Sequence, residues 1–121
     1  MQIYSRWQDD SFVDKHDKVM SYEYTDLNDF NEKYGNEGLT NGRIIGRYYE
    51  GIGVLVKRGL VDISLVDDLM SGTITRFYEQ MEPYLRHYRT LYNFPQYGEY
   101  VEYLYQQVKP IMKKQHPELL T

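Results

Sequence analysis

TITRFYEQMEPYLRHYRTLY, residues 73–92, is the stretch on which the fold turns. At 100° per residue, Ile74, Phe77, Tyr78, Met81, Leu85, Tyr88 and Tyr92 fall on one stripe, and Glu79, Glu82, Arg86 and Arg89 fall on the other side. Apolar residues recurring every three to four positions bury one face of a helix, whereas a strand would need alternation. Pro83 lies on the polar side, where a kink bends the helix around a core. Glu82 and Arg86 stand one turn apart, the spacing of a solvated ion pair.

The same period continues on both sides of this segment. Downstream of NFPQ, Tyr97, Tyr100, Val101, Leu104, Val108 and Ile111 share a face, with Pro110 either kinking that helix or opening a separate turn. Upstream, Ile44, Ile45, Tyr48, Tyr49, Ile52, Leu55 and Val56 cover an arc of about 140° in residues 43–58, wide enough for a helix with more than one neighbour. Gly46, Glu50, Gly53 and Lys57 lie opposite. An interior helical glycine costs about 1 kcal/mol relative to alanine, so close approach of another helix is expected there. Gly59 ends this helix, Asp62 caps a short one through Leu65, Val66 and Leu69, and Ser71 or Thr73 opens residues 73–92.

Nearer the N-terminus, a short turn is expected around Ile3 to Trp7. Ser11 then caps a helix over residues 12–22 with Phe12, His16, Val19 and Met20 on one face. Thr25 or Asp26 caps the next, through Leu27, Phe30 and Tyr34, which Gly35 ends. GNEGLTNG, residues 35–42, reads as a loop and as the most mobile segment. The sum is an all-α fold, a compact bundle of about five to six helices. Residues 1–121 make one helical domain, in which an acidic N-terminal segment, residues 1–37, packs on a helical core, residues 42–115.

Composition narrows the function classes. The 121 residues carry a net charge of −4, are 41% hydrophobic and contain no cysteine, which excludes disulfides, thiolate zinc sites and iron–sulfur clusters. Residues 1–37 hold nine acids and four bases; residues 38–121 hold nine acids and ten bases. That balance argues against broad nucleic-acid binding, which needs concentrated Lys and Arg. No apolar run approaches the roughly 18 residues of a membrane span, and the start lacks a secretory pattern, so a cytoplasmic protein without a membrane span is expected.

The paired carboxylates Glu79/Glu82 and Glu99/Glu102 suggest a bridged metal pair, which would also require Glu-x-x-His. The residues three before His16, His87 and His116 are Val13, Tyr84 and Lys113, so no such site is formed. There is no G-x-S-x-G, and Gly51-Ile-Gly53 sits within a helix without a preceding strand. No catalytic residue, cofactor or metal is therefore expected. His16, at the centre of an apolar face, reads as a buried titrating group donating to a backbone carbonyl.

Fourteen tyrosines suggest a stacking platform for bases, with Arg86, Arg89, Lys113 and Lys114 for phosphates. Their phase opposes it: Tyr78, Tyr88, Tyr92, Tyr97 and Tyr100 lie on apolar stripes and read as core. Tyr84 and Tyr103, at the stripe edges, remain as exposed aromatics.

YYEGIGVLVKRGLVDISLVDDL, then MEPYLRHYR, then VEYLY resemble an uncharacterised family of small helical prokaryotic proteins, classed only as a domain of unknown function, over about 60 residues. The matching positions are Tyr49, Glu50, Gly53, Gly59, Leu60, Asp62, Pro83, Arg89, Glu102 and Leu104. The resemblance implies an all-helical fold and no activity; members of that family often carry N-terminal membrane helices, which are not carried over here. It also suggests that Glu50 and Arg89 pair across neighbouring helices.

Two functions stand beside each other. One is a non-catalytic protein-interaction or structural module, binding a protein partner or self-associating through the glycine-lined side of residues 43–58 or through the tyrosine-rich C-terminal helices. The other is a small-molecule or nucleic-acid binder in an interhelical crevice, using Tyr hydroxyls and Arg86 or Arg89 for an anionic group. Glu50, Arg86, Arg89, Tyr84 and Tyr103 are the candidate contact residues. A closed, well-formed pocket lined by Tyr and Arg, or a ligand carried through purification, discriminates between the two.

Overall fold

The structure, a computed structural model, describes residues 10–115, and the expected turn at Ile3 to Trp7 lies outside them. Four helices make up the described chain: α1 (Asp10–Met20), α2 (Leu27–Lys57), α3 (Ile63–Leu91) and α4 (Glu99–Gln115). The all-α expectation holds. The count of five to six is corrected to four, because α2 and α3 each join two of the expected segments across a kink.

In α2 the join is Gly35, whose φ of 60° and ψ of −151° turn the chain without ending the helix. Residues 35–42, expected as a mobile loop, are helical beyond it, and Gly38, Asn41 and Gly42 are buried. Their small size serves packing. A β-carbon on Gly38 would lie 3.3 Å from the Tyr22 hydroxyl and 3.4 Å from Phe30 Cζ, and one on Gly42 would meet Met81 Cε at 2.7 Å. In α3 the join is Met70, at φ −153° and ψ 22°. The Thr73 hydroxyl donates to the Met70 carbonyl at 3.0 Å and Thr75 to that of Ser71 at 2.8 Å, so side chains occupy acceptors where the helix bends. Pro83 and Pro110 both lie inside continuous helices.

Caps largely follow the expected chemistry. Asp26 accepts from the Asp29 backbone N–H at 2.8 Å, and Asp29 accepts in return from that of Thr25 at 2.9 Å. Asp62 accepts from the Ser64 N–H at 2.8 Å, and Gly59, at φ 73°, closes α2. Ser11 is not a cap; α1 begins one residue earlier.

α4 packs along both α2 and α3, burying Val101, Leu104, Val108 and Met112, while α1 packs on α2 and α3 through Phe12, His16 and Val19. Residues 21–26, between α1 and α2, are held by α3. Arg76 Nε donates to the Met20 carbonyl at 2.8 Å, Gln80 Nε2 donates to that of Tyr22 at 2.6 Å, and the Tyr24 hydroxyl donates to the Gln80 carbonyl. Phe30 is wholly buried below, ringed by Tyr22, Tyr24, Tyr34 and Tyr84 at centroid distances of 5.4, 5.0, 5.2 and 4.5 Å.

The close approach expected on the glycine side of α2 is present. A β-carbon on Gly53 would meet the backbone of Tyr100, with the carbonyl carbon at 2.9 Å. At Gly53 that face is thus covered by α4. Among the described residues, no helix is long and apolar enough to cross a membrane.

Candidate functional site

Where α2 and α3 part, next to the 92–98 connection, they leave a crevice of about 440 Å³. Gly42 and Gly46, one turn apart on α2, form its floor with Phe77 and Met81 of α3. A β-carbon on Gly46 would find Phe77 Cζ at 3.5 Å, an ordinary contact, so beyond that ring the space is unfilled. One wall is a ladder of rings from a single face of α3. Tyr84 and Tyr88 lie 5.8 Å apart at 27°, and Tyr88 and Tyr92 5.5 Å apart at 8°, with Tyr97 5.8 Å from Tyr88.

Arg43, Arg47 and Glu50 of α2 are the charged residues lining the crevice. The Arg43 guanidinium sits 5.5 Å from the Tyr88 ring centroid, and its Nη2 donates to the Tyr88 hydroxyl at 3.4 Å. Glu50 is engaged by α4. Its Oε1 accepts from the Val101 backbone N–H at 2.8 Å in the first turn of α4, a helix end that favours negative charge. Burial nonetheless raises its pKa above the ordinary carboxylate value, against the opposing effect of the Val101 and Tyr100 N–H groups.

The expected contact residues divide. The Glu50–Arg89 pair is not formed. Arg89 Nη1 instead binds Glu102 at 2.9 Å and its Nε donates to the Tyr97 carbonyl at 2.6 Å, tying the 92–98 connection to α3 and α4. Arg86 points outward to Glu82 at 2.5 Å, the solvated pair read from their spacing. Tyr84, expected exposed, is buried at 5% and donates to Asn31 Oδ1 at 2.5 Å, since its ring packs on Phe30. Tyr103 is half-buried away from the crevice, beneath Lys57 Nζ at 5.0 Å. Tyr92, expected in the core, is 63% exposed, at the cap that follows the last residue of α3. Glu79 meets Tyr105 and Lys109, and no cluster of three or more His, Asp or Glu suited to a metal occurs among the described residues.

Of the expected contact residues, Glu50 and Tyr84 line the crevice, whereas Arg43, Arg47, Tyr88 and Tyr92 were not among them. The signal of the two arginines is GRIIGR, residues 42–47, in which a Gly-Arg pair recurs after four positions, so that both glycines share one edge of the helix and both arginines the next.

His16 is buried as expected, at α1–α2, and its Nε2 lies 2.6 Å from the Tyr49 hydroxyl. The Thr73 hydroxyl, a further partner of Tyr49, spends its proton on the Met70 carbonyl. Burial pushes the Tyr49 hydroxyl well above its ordinary pKa, and it stays protonated. Burial likewise lowers the His16 pKa below 6.5, only partly opposed by Asp17. The unfolded chain thus binds a proton that the folded chain resists. Stability is held above pH 6.5 and falls as the pH drops toward the folded-state pKa. Urea midpoints measured from pH 7.5 to 5 should fall less for His16→Leu than for the wild type; equal falls would remove His16 from the account.

Among the described residues, fold and crevice together define an all-helical protein with an aromatic-walled, arginine-rimmed cleft. The chain belongs to the family described as a domain of unknown function (DUF4760), whose model matches residues 1–108. No curated protein and no solved structure matches it.

Proposed function

We infer that the protein is a non-catalytic binding module and that the crevice between α2, α3 and the 92–98 connection is its ligand site. The observation that carries this is the crevice itself: about 440 Å³, mostly ring and aliphatic surface, with a few charged groups at its edge. Ligand sites typically have roughly 300–1,000 Å³ and this division between apolar lining and sparse polar groups. Of the two functions weighed from the sequence, the crevice supports the small-molecule binder over a pure scaffold. The arginines that serve it are Arg43 and Arg47, since Arg86 and Arg89 are engaged elsewhere.

Gly46→Leu tests the assignment. Its β-carbon is tolerated against Phe77, its remaining carbons fill the floor, and leaving glycine favours the helix by about 1 kcal/mol. In ligand-observed NMR against a set of small aromatic compounds, binders to the wild type should lose binding to Gly46→Leu while thermal stability is kept or raised. Equal binding to both proteins would place the ligand site elsewhere.

A further inference from the structure

Resting on the ligand site just assigned, we propose that the crevice selects a small aromatic anion, whose rings lie along the Tyr84–Tyr88–Tyr92 ladder and whose acidic group is held by Arg43 and Arg47. The pairing of charges around the site supports this. Arg86 binds Glu82 and Arg89 binds Glu102, yet neither Arg43 nor Arg47 has a carboxylate within ion-pair distance among the described residues. Glu50 lines the same crevice one turn beyond Arg47, and its carboxylate is engaged by the Val101 N–H of α4. Two like charges at i, i+4 repel each other, and here they remain uncompensated in a chain with four more acids than bases. A bound anion would remove that repulsion.

The geometry also sets the kind of ligand. Guanidinium forks match the oxygens of carboxylate, sulfonate or phosphate. Tyr88 and Tyr92 are within 8° of parallel, and Tyr88 already carries the Arg43 guanidinium, so ring surface and cation adjoin. A volume of about 440 Å³ holds one small molecule and not a folded partner element.

Two fluorescent dyes separate the elements of this proposal: anilinonaphthalene sulfonate, which is anionic, and phenylnaphthylamine, which is neutral with a similar ring body. The wild type should bind the sulfonate about tenfold or more tightly than the neutral dye, as charge-assisted hydrogen bonds would give. Added salt should shrink that preference. Arg43→Gln/Arg47→Gln should abolish the preference, so that the sulfonate binds no more tightly than the neutral dye, with unaltered circular dichroism. Benzoate, phenyl phosphate or both should displace the sulfonate where phenol does not, which identifies the preferred acidic group. Equal affinity of the two dyes, a preference that survives the double substitution, or displacement by neither anion would overturn anion selection while leaving the crevice as a site. If neither dye binds, or if both bind Gly46→Leu as they bind the wild type, the site itself is refuted.

Discussion

Phe30→Ala is expected to lower the unfolding free energy by about 3–5 kcal/mol, a large share of the roughly 5–15 kcal/mol that holds a domain of this size together. Phe30 is 0% exposed, and the four rings around it come from three places: Tyr22 and Tyr24 from the segment between α1 and α2, Tyr34 from α2 and Tyr84 from α3. Removing its ring takes away the burial of a phenyl group and leaves a hole that these neighbours fill poorly. They are fixed at their far ends: Tyr84 to Asn31, Tyr24 to the Gln80 carbonyl, Tyr34 to the Glu23 backbone and Tyr22 to the Gly38 carbonyl. Edge-to-face contacts with Tyr22, Tyr24 and Tyr84 would be lost as well, each worth about 0.5–1.5 kcal/mol beyond area. The urea midpoint should fall with an unchanged slope, and Phe30→Leu should cost under half as much. A loss below about 1 kcal/mol for the alanine variant would mean that the ring cluster does not hold α2 to α3. Tyr84 is also a wall of the crevice, so the damaged cluster and the ligand site share a side chain.

What could be read from the chain, and what could not, follows from how each residue type signals. Periodicity found α1, the second halves of α2 and α3, and α4, because each buries one stripe and the stripe is written in large side chains such as Ile45, Tyr49, Ile74, Phe77 and Leu104. Residues 35–42 misled because glycine has two uses that composition does not separate. Gly35 uses its conformational freedom, at φ 60°, whereas Gly38 and Gly42 use their lack of a side chain to sit beneath Tyr22 and Met81. A loop was inferred where a tight helix contact exists. Next to the crevice, the polar pattern placed Glu50 and Arg89 opposite their apolar stripes, and only the family resemblance suggested that they pair. The backbone N–H groups opening α4 are invisible in a list of side chains, and they draw Glu50 away from Arg89, which is left to Glu102. Of the ring ladder, Tyr88 and Tyr92 were legible on the stripe, and Tyr84 only at its edge. The ladder's last member, Tyr92, lies past the end of α3 and is exposed, which the stripe does not encode.

Glycine's two roles can be separated by experiment within one turn of α2. Gly51 and Gly53 are both helical, and in both a change to alanine gives up backbone freedom in the unfolded chain and improves helix propensity, by about 0.4–1 kcal/mol. At Gly51 a new β-carbon would meet nothing within 4 Å, so Gly51→Ala should stabilise by that amount. At Gly53 the new atom would lie 2.8 Å from Tyr100 Cβ and 2.9 Å from its carbonyl carbon, with the carbonyl oxygen nearer still. Three atoms of one residue, two of them backbone, have no rotamer through which to retreat, so α4 itself must move. Overpacking of this kind costs about 1–3 kcal/mol even where side chains yield. Here the shift would also stretch the 2.8 Å bond from the Val101 N–H to Glu50, leaving a half-buried carboxylate short of a donor. A net destabilisation of about 2–3 kcal/mol is therefore expected for Gly53→Ala, opposite in sign to Gly51→Ala. Urea unfolding of the two variants side by side decides it, because helix propensity is common to both and only the proximity of α4 differs. If Gly53→Ala proved as stable as Gly51→Ala, α4 would not rest on α2 at this point. The wall that Val101 contributes to the crevice would then have to be placed elsewhere.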